Sequence, residues 1–252
     1  MKRTQIKATA IIQARMGSTR LPGKVLMDLG GESVLSRVVR RLGRARLLRQ
    51  IVVATSVGSA DDAVAAECVR LQVPCFRGSE DDVLDRYYQA EKAWPSDAVV
   101  RITADCPLID PAVVDQTIEV FLESGADYAS NSIQRAYPRG LDTEVFTVAA
   151  LGQSWREARE PHQREHVTPF FYEHPERFRI SSIAASRDYG QYRLTLDTSD
   201  DLRLIRAVYA SFDNQDTMGW REVVELLERR PELAALNSHV AQKALHEASN
   251  CA

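Results

Sequence analysis

The chain opens with an apolar segment, residues 8–12, that runs straight into Ala14-Arg15-Met16-Gly17-Ser18-Thr19-Arg20-Leu21-Pro22-Gly23-Lys24. A short apolar run bounded by turn residues reads as a buried β-strand. This one ends in a loop holding three cations, two glycines and two hydroxyls. Strand patterns at 8–14, 51–55, 73–76 and 98–103 alternate with helical patterns near 32–48, 60–71 and 82–94. That alternation predicts an α/β fold, a three-layer arrangement in which helices cover a mostly parallel or mixed sheet. In such sheets ligands bind at the carboxyl ends of the strands, which is where the loop falls. Glycines admit an anion close to the backbone, and Arg and Lys supply charge and forked donors. The loop therefore reads as a cradle for a polyphosphate. Its spacing is neither GxxxxGK[ST] nor GxGxxG, which excludes Walker-type NTPases and dinucleotide dehydrogenases.

Farther along, a helix is expected from Pro111, with Val114, Ile118, Phe121 and Leu122 on one face. Strands are expected at 128–132, 144–147, 179–184 and 192–196, mixed with loops, and the chain turns helical beyond residue 199. There Leu202, Ile205, Val208, Tyr209 and Phe212 form one apolar face, and Trp220, Val223, Val224 and Leu227 another. The last dozen residues are expected to fray. With 252 residues and no low-complexity linker, one large α/β domain is expected. No apolar run reaches membrane-spanning length and no signal-peptide core follows the first residues, so the expected location is cytoplasmic. The four cysteines, Cys68, Cys75, Cys106 and Cys251, lack CxxC spacing and point to reduced thiols.

Charge is distributed unevenly. Residues 1–50 carry twelve Lys or Arg against Asp28 and Glu32, or +10, while the remainder carries −13. Arg37, Arg40, Arg41, Arg44, Arg46 and Arg49 supply half of those twelve cations. Leu35, Val38, Val39 and Leu42 recur among them at helical spacing, so the arginines are expected mostly on the outer face of an amphipathic helix. No aromatic residues are interleaved with the run, and the net charge is −3. Both argue against a nucleic-acid partner.

Three further clusters carry chemistry. Arg101-Ile102-Thr103-Ala104-Asp105-Cys106-Pro107-Leu108-Ile109-Asp110-Pro111 delivers Asp105 to a strand's carboxyl end. A carboxylate there suits Mg²⁺, whereas Asp110, just before Pro111, suits a helix cap. Leu194-Thr195-Leu196-Asp197-Thr198-Ser199-Asp200-Asp201-Leu202 repeats the pattern. Thr198 and Asp201 match a capping pair, which leaves Asp197 as the carboxylate outside the helix. Arg139-Gly140-Leu141-Asp142-Thr143-Glu144 and Arg164-Glu165-His166 mix signs and suit a polyhydroxylated acidic substrate. Equally, Arg164 with Glu165 fits a solvated helix pair, and His166 a satisfied interior histidine.

The segments from Gln13 to Lys24, Asp105 to Ile109 and Asp197 to Leu202 resemble the cytidylyltransferases that make CMP-activated sugar acids. Gly78-Ser79-Glu80-Asp81-Asp82-Val83-Leu84-Asp85-Arg86-Tyr87, Gly140 to Phe146 and Arg164-Glu165-His166-Val167-Thr168-Pro169 are most similar to the SpsF branch, named for spore coat polysaccharide biosynthesis. The resemblance implies a nucleotide-diphospho-sugar transferase fold of GT-A-like type and a homodimer. It implies one nucleotidyltransferase domain over residues 1–252, with a substrate or dimerisation subregion near 127–190 and a helical part at 199–252. By the same resemblance Arg15 and Lys24 grip the phosphates of CTP as catalytic residues, and Asp105 and Asp197 hold Mg²⁺. Ala14, Gly17, Ser18, Arg20, Arg86 and Ala104 complete the nucleotide site, with Arg86 near the base. Arg139, Asp142, Glu144, Arg164, Glu165 and His166 stand on the sugar side. Ala104 and Cys106 depart from the residues usual in the sialic-acid and Kdo branches, which leaves the sugar open.

The expected reaction is attack of a sugar-acid hydroxyl on the α-phosphorus of CTP with loss of pyrophosphate. Positioning and charge neutralisation dominate such chemistry. A sugar-1-phosphate nucleotidylyltransferase, a glycosyltransferase and a non-catalytic nucleotide-binding subunit are the alternatives.

Overall fold

The computed structural model describes residues 6–242. Cys251 and the last ten residues of the C-terminal segment expected to fray lie outside them. In chain order the elements are β1 (Ala8–Gln13), α1 (Val34–Leu42), β2 (Leu48–Ser56), α2 (Asp62–Leu71), β3 (Cys75–Gly78), α3 (Val83–Ala93) and β4 (Ala98–Thr103). Then come α4 (Pro111–Ser124), β5 (Tyr128–Ser130), β6 (Glu144–Thr147), α5 (Val148–Glu157), α6 (Pro161–His166), α7 (Pro169–Glu173) and β7 (Ile180–Ser182). The chain finishes with α8 (Ser199–Ser211), α9 (Trp220–Arg229) and α10 (Pro231–Ala234). The strands form one sheet in the order β3-β2-β1-β4-β6-β5-β7. β6 alone runs against its neighbours on both sides, so the sheet is mixed.

Alternate residues of the central strands feed opposite faces. Ala10 and Ile12 of β1, Val100 and Ile102 of β4 and Val145 of β6 join one cluster with α1 and α4. Ile11, Val99 and Phe146 join another with α3, α5 and α7. Strands apolar on both sides are what a helix-covered, largely parallel sheet requires. A third cluster packs α8 and α9 against Leu29, Leu108, Leu194 and Leu196. After β1 the chain crosses to β2 on one side, and after β3 it returns to β4 on the other. That reversal opens a crevice at the carboxyl ends of β1 and β4.

Local chemistry sets several boundaries differently from the sequence pattern. α1 begins at its Ser33 cap and stops at Gly43 rather than running to residue 48. Beyond it, the Asp115 carboxylate accepts from the amides of Arg46 and Leu47, which turns the chain into β2. Three short helices, α5 to α7, fill a stretch whose pattern suggests strands and loops. On α4, Val114, Ile118 and Phe121 are buried as expected, but Leu122 is 42% exposed. Residues 192–196 do not form a strand. Leu194 N–H donates to Arg139 O and Leu196 N–H to Asp105 O, so the segment's donors are divided between two loops and only one bridge, Arg139 with Arg193, results.

Of the six arginines in the run from Arg37 to Arg49, Arg40, Arg44, Arg46 and Arg49 are exposed as expected, but Arg37 and Arg41 are buried. Arg37 donates to the carbonyls of Leu29, Gly30 and Asn214 and pairs with Asp216. Arg41 donates to the carbonyls of Ile109, Asp216 and Met218. A guanidinium carries five donors in a fixed fork, enough to satisfy several loop carbonyls that lack secondary-structure partners. Periodicity marks only where a face lies, not that carbonyls from 109 and 216–218 converge on it. Arg41→Met is expected to cost about 3–5 kcal/mol by leaving those carbonyls unpaired. Arg40→Met is expected to stay within about 0.5 kcal/mol. Urea unfolding of both variants checks the contrast.

Candidate active site

The 14–24 loop is fastened from below. Gly23, at φ 71°, takes a left-handed turn that a side chain would strain, and its amide donates to Met16 O to close the loop. Ser18 Oγ accepts from Leu21 N–H. The buried Asp61 carboxylate accepts from Met16 N–H at 2.6 Å and from Ser56 N–H at 3.1 Å. Burial would raise the Asp61 pKa, but these donors hold it below the ordinary carboxylate value. The amide of Ala14 is spent on Ala54 O, and that of Ala104 on Gln13 O. Those two amides tie the start of the loop to β2 and the residue after β4 to β1.

At the crevice the two distant aspartates meet. Lys24 Nζ lies 2.8 Å from Asp105 Oδ2 and 2.7 Å from Asp197 Oδ1, so one ammonium touches both carboxylates. The backbone makes this possible, because Leu196 N–H and Thr195 Oγ both donate to Asp105 O. Gly140, at φ 98°, lets its own loop press against Leu194, where an added Cβ would lie 2.5 Å from the Leu194 carbonyl carbon. Thr103 Oγ donates to Asp105 Oδ1 at 2.6 Å. Burial opposes the charge on Asp105, yet Lys24 and then Thr103 hold its pKa below the usual value. Burial likewise opposes the charge on Lys24, and the two aspartates outweigh it to raise its pKa.

Asp197 has further cationic partners. Arg20 Nη2 lies 3.1 Å from its Oδ2, and Arg193 Nη2 lies 2.6 Å from the same oxygen. Arg193 is in turn held by Asp201, which also accepts from Asn237 and from the amides of Asp197 and Thr198. Asp201 thus completes its capping pair with Thr198 while it also holds Arg193. Asp110 caps α4 and also accepts from Trp220 N–H. Neither Arg193 nor Thr103 stood out in the sequence. The available signal was an arginine inside the apolar segment 192–196, read there as part of a strand.

A second cavity adjoins the loop, lined by Gln13, Ala14, Arg15, Val83, Arg86, Glu165 and His166. Arg86 is buried, and its Nε and Nη1 meet no acceptor among the described residues; neither does Gln13 Oε1 a donor. Burial lowers the Arg86 pKa, and Arg15 lowers it further. Buried donors of this kind are seldom left unmatched in a native protein, so the cavity is shaped to receive polar atoms. A Cβ added at Gly17 would lie 3.6 Å from Glu80 Oε1 and 3.9 Å from Arg15 Cδ.

The sugar-side candidates divide. Glu144 is buried in the sheet, paired with Arg101 and accepting from Tyr128 Oη. Arg164 is spent on Asp82, the cap of α3, and on Trp155 O. Both Glu144 oxygens and all three Arg164 nitrogens are thus engaged by protein partners. Asp142 pairs with Arg135. The Arg139 guanidinium makes no hydrogen bond or ion pair among the described residues; burial, then the like charge of Arg135, lowers its pKa. Glu165 and His166 line the Arg86 cavity rather than the crevice around the aspartates.

A crevice of this kind, with two acids and an amino-terminal cationic loop at the ends of β1 and β4, belongs to a nucleotidyltransferase-like fold. Residues 9–231 match the cytidylyltransferase family, and the chain belongs to that family. It is accordingly a CTP-dependent nucleotidyltransferase. The chain is 37% identical to spore coat polysaccharide biosynthesis protein SpsF of Bacillus subtilis, over 89% of this chain and 95% of that protein. It is 33% identical to a cytidylyltransferase from Leptospira borgpetersenii, with a TM-score of 0.87 over 91% of this chain and 97% of that one. CMP:2-keto-3-deoxy-manno-octonic acid synthetase, solved with CTP, shares the fold at a TM-score of 0.60 and 21% identity, over 82% and 99% of the two chains.

Asp201→Asn should destabilise the protein by about 1–3 kcal/mol at neutral pH, because it removes one of the two carboxylates that compensate the buried Arg193. The folded-state pKa of Asp201 is depressed below its ordinary 3.8. Its contribution is therefore complete above the unfolded pKa and is lost as pH falls through the folded one. Thermal unfolding of the wild type should weaken below about pH 4, and the Asn variant should lose part of that acid dependence.

Proposed function

We propose that this protein transfers the cytidylyl group of CTP to a hydroxyl of an acidic sugar, releasing pyrophosphate. The observation that carries the reading is the meeting of Lys24, Asp105 and Asp197 beside the unmatched donors of Arg86. In this reading the base enters the Arg86 cavity and the triphosphate lies along the loop toward Lys24. Arg15 and Arg20 neutralise the phosphates, and positioning with charge neutralisation supplies most of the rate. The cationic group of Arg135, Arg139 and Arg193 beyond the aspartates suits a sugar carboxylate, with Arg139 as its principal donor. A sugar phosphate would use the same guanidinium groups, so the acceptor screen must include both.

The donor set at the crevice fits a divalent cation. Asp105 and Asp197 offer hard oxygens close enough for one ammonium to bridge, and phosphate oxygens and water would complete an Mg²⁺ shell. When bound, such an ion polarises the α-phosphate and favours the ionised acceptor hydroxyl. We further propose a single catalytic unit acting as a homodimer in the cytoplasm, with 127–190 supplying substrate or subunit contacts. No helix among the described residues is long and apolar enough to cross a membrane.

Pyrophosphate release, screened over four nucleoside triphosphates against sugar acids and sugar 1-phosphates, tests the reaction. CTP with a sugar acid is the expected pair; turnover confined to sugar 1-phosphates would establish the alternative. Asp105→Asn is expected to lower kcat roughly 100- to 1,000-fold, the scale of one preorganised electrostatic contact. Near-normal turnover in that variant would remove Asp105 from the reaction.

A further inference from the structure

We propose that the Lys24 ammonium is a built-in occupant of the cation position between Asp105 and Asp197, displaced only when a polyphosphate draws it away. A divalent ion would then enter together with the nucleotide and not before it. The inference rests on Asp105 and Asp197 being the metal ligands of the proposed reaction.

The geometry supplies the first part. Lys24 is 9% exposed, and its Nζ makes 2.7–2.8 Å contacts with one oxygen of each carboxylate. The second Asp105 oxygen is occupied by Thr103, and the second Asp197 oxygen by Arg20 and Arg193. An ion approaching the pair meets an ammonium already seated on the oxygens that face each other. The charge balance supplies the second part. Asp105, Asp197 and Asp201 are matched by Lys24, Arg20 and Arg193, three acids against three cations in one contact network. A divalent ion added alone would leave two uncompensated positive charges in a half-buried site, where such interactions are weakly screened. A triphosphate brings the missing negative charge and offers Lys24 another anion.

Release of Lys24 needs little rearrangement. Its four-carbon stem is flexible, and the residue sits at the start of the single turn Lys24–Leu26, directly after the left-handed Gly23. A swing of the side chain from the carboxylates toward the cradle vacates the position without moving β1 or β4. The same lysine would therefore neutralise the acids in the resting enzyme and the phosphates in the loaded one.

Mn²⁺ binding followed by electron paramagnetic resonance of the free ion tests this directly, using full-length wild type, Lys24→Met and Lys24→Gln. Without nucleotide, both neutral variants should bind Mn²⁺ on the order of 100-fold more tightly than wild type, near the upper end of usual site-to-site coupling. Adding Asp105→Asn to Lys24→Met should abolish the gain. With CTP and no acceptor, wild type should retain Mn²⁺ beyond what CTP alone holds, and Asp105→Asn should not. Nucleotide-free wild type binding as tightly as the neutral variants overturns the gate but leaves the ligand assignment standing. So does an absence of gain in the variants while the wild-type complex with CTP still requires Asp105. A complex with CTP indifferent to both Asp105→Asn and Asp197→Asn overturns the ligand assignment, and the gate with it. Should circular dichroism show both neutral variants unfolded, wild type decides: an Mn²⁺ affinity unchanged by CTP overturns the proposal.

Discussion

The backbone of Asp105 is the point on which this architecture turns. Its carbonyl accepts from both Leu196 N–H and Thr195 Oγ, joining the loop after β4 to the segment before α8. Those parts of the chain are about ninety residues apart. Without that junction Asp197 would not face Asp105, and Lys24 would have one anion instead of two. Gly140 makes the junction possible from the other side, because only a residue without Cβ lets its backbone pass so close to Leu194. The site is thus a product of loop-to-loop hydrogen bonding on top of the sheet.

Charge has been organised in two tiers around it. Close in, carboxylates and cations alternate: Lys24 between Asp105 and Asp197, Arg193 between Asp197 and Asp201. Farther out, Arg86 and Arg139 hold guanidinium donors for which the described residues supply no hydrogen-bonding partner. Buried or half-buried charges in that condition lower stability. They are tolerable where a ligand supplies the missing acceptor, and both lie beside the crevice. The distribution separates residues whose charged groups are engaged within the fold from those whose donors are not more clearly than residue type does. Glu144 and Arg164 have the chemistry of substrate ligands and the contacts of structural ion pairs.

Much of this was legible in the chain. The alternation of apolar runs and amphipathic segments determined the sheet, its helical covering and the position of the 14–24 loop at the end of β1. The caps of α4 and α8 followed from Asp110 before Pro111 and from the pairing of Thr198 with Asp201, because capping is a local event. The identity of Arg15, Lys24, Asp105 and Asp197 as candidates followed from chemistry placed at strand ends, and cytidylyltransferase membership from their motifs.

The tertiary structure alone decided the rest, for the common reason that hydrogen-bonding partners distant in sequence are invisible to periodicity. It buried Arg37 and Arg41 under loop carbonyls from 109 and 214–218, against a pattern that placed them in solvent. It turned 192–196 from a strand into a bridge, and so set Asp197 against Asp105. It also placed Lys24 on the acids and withdrew Glu144 and Arg164 into the frame. Sequence specified which groups were available at each strand end; three-dimensional packing chose their partners, because a charge settles wherever the fold leaves its best counter-charge within reach.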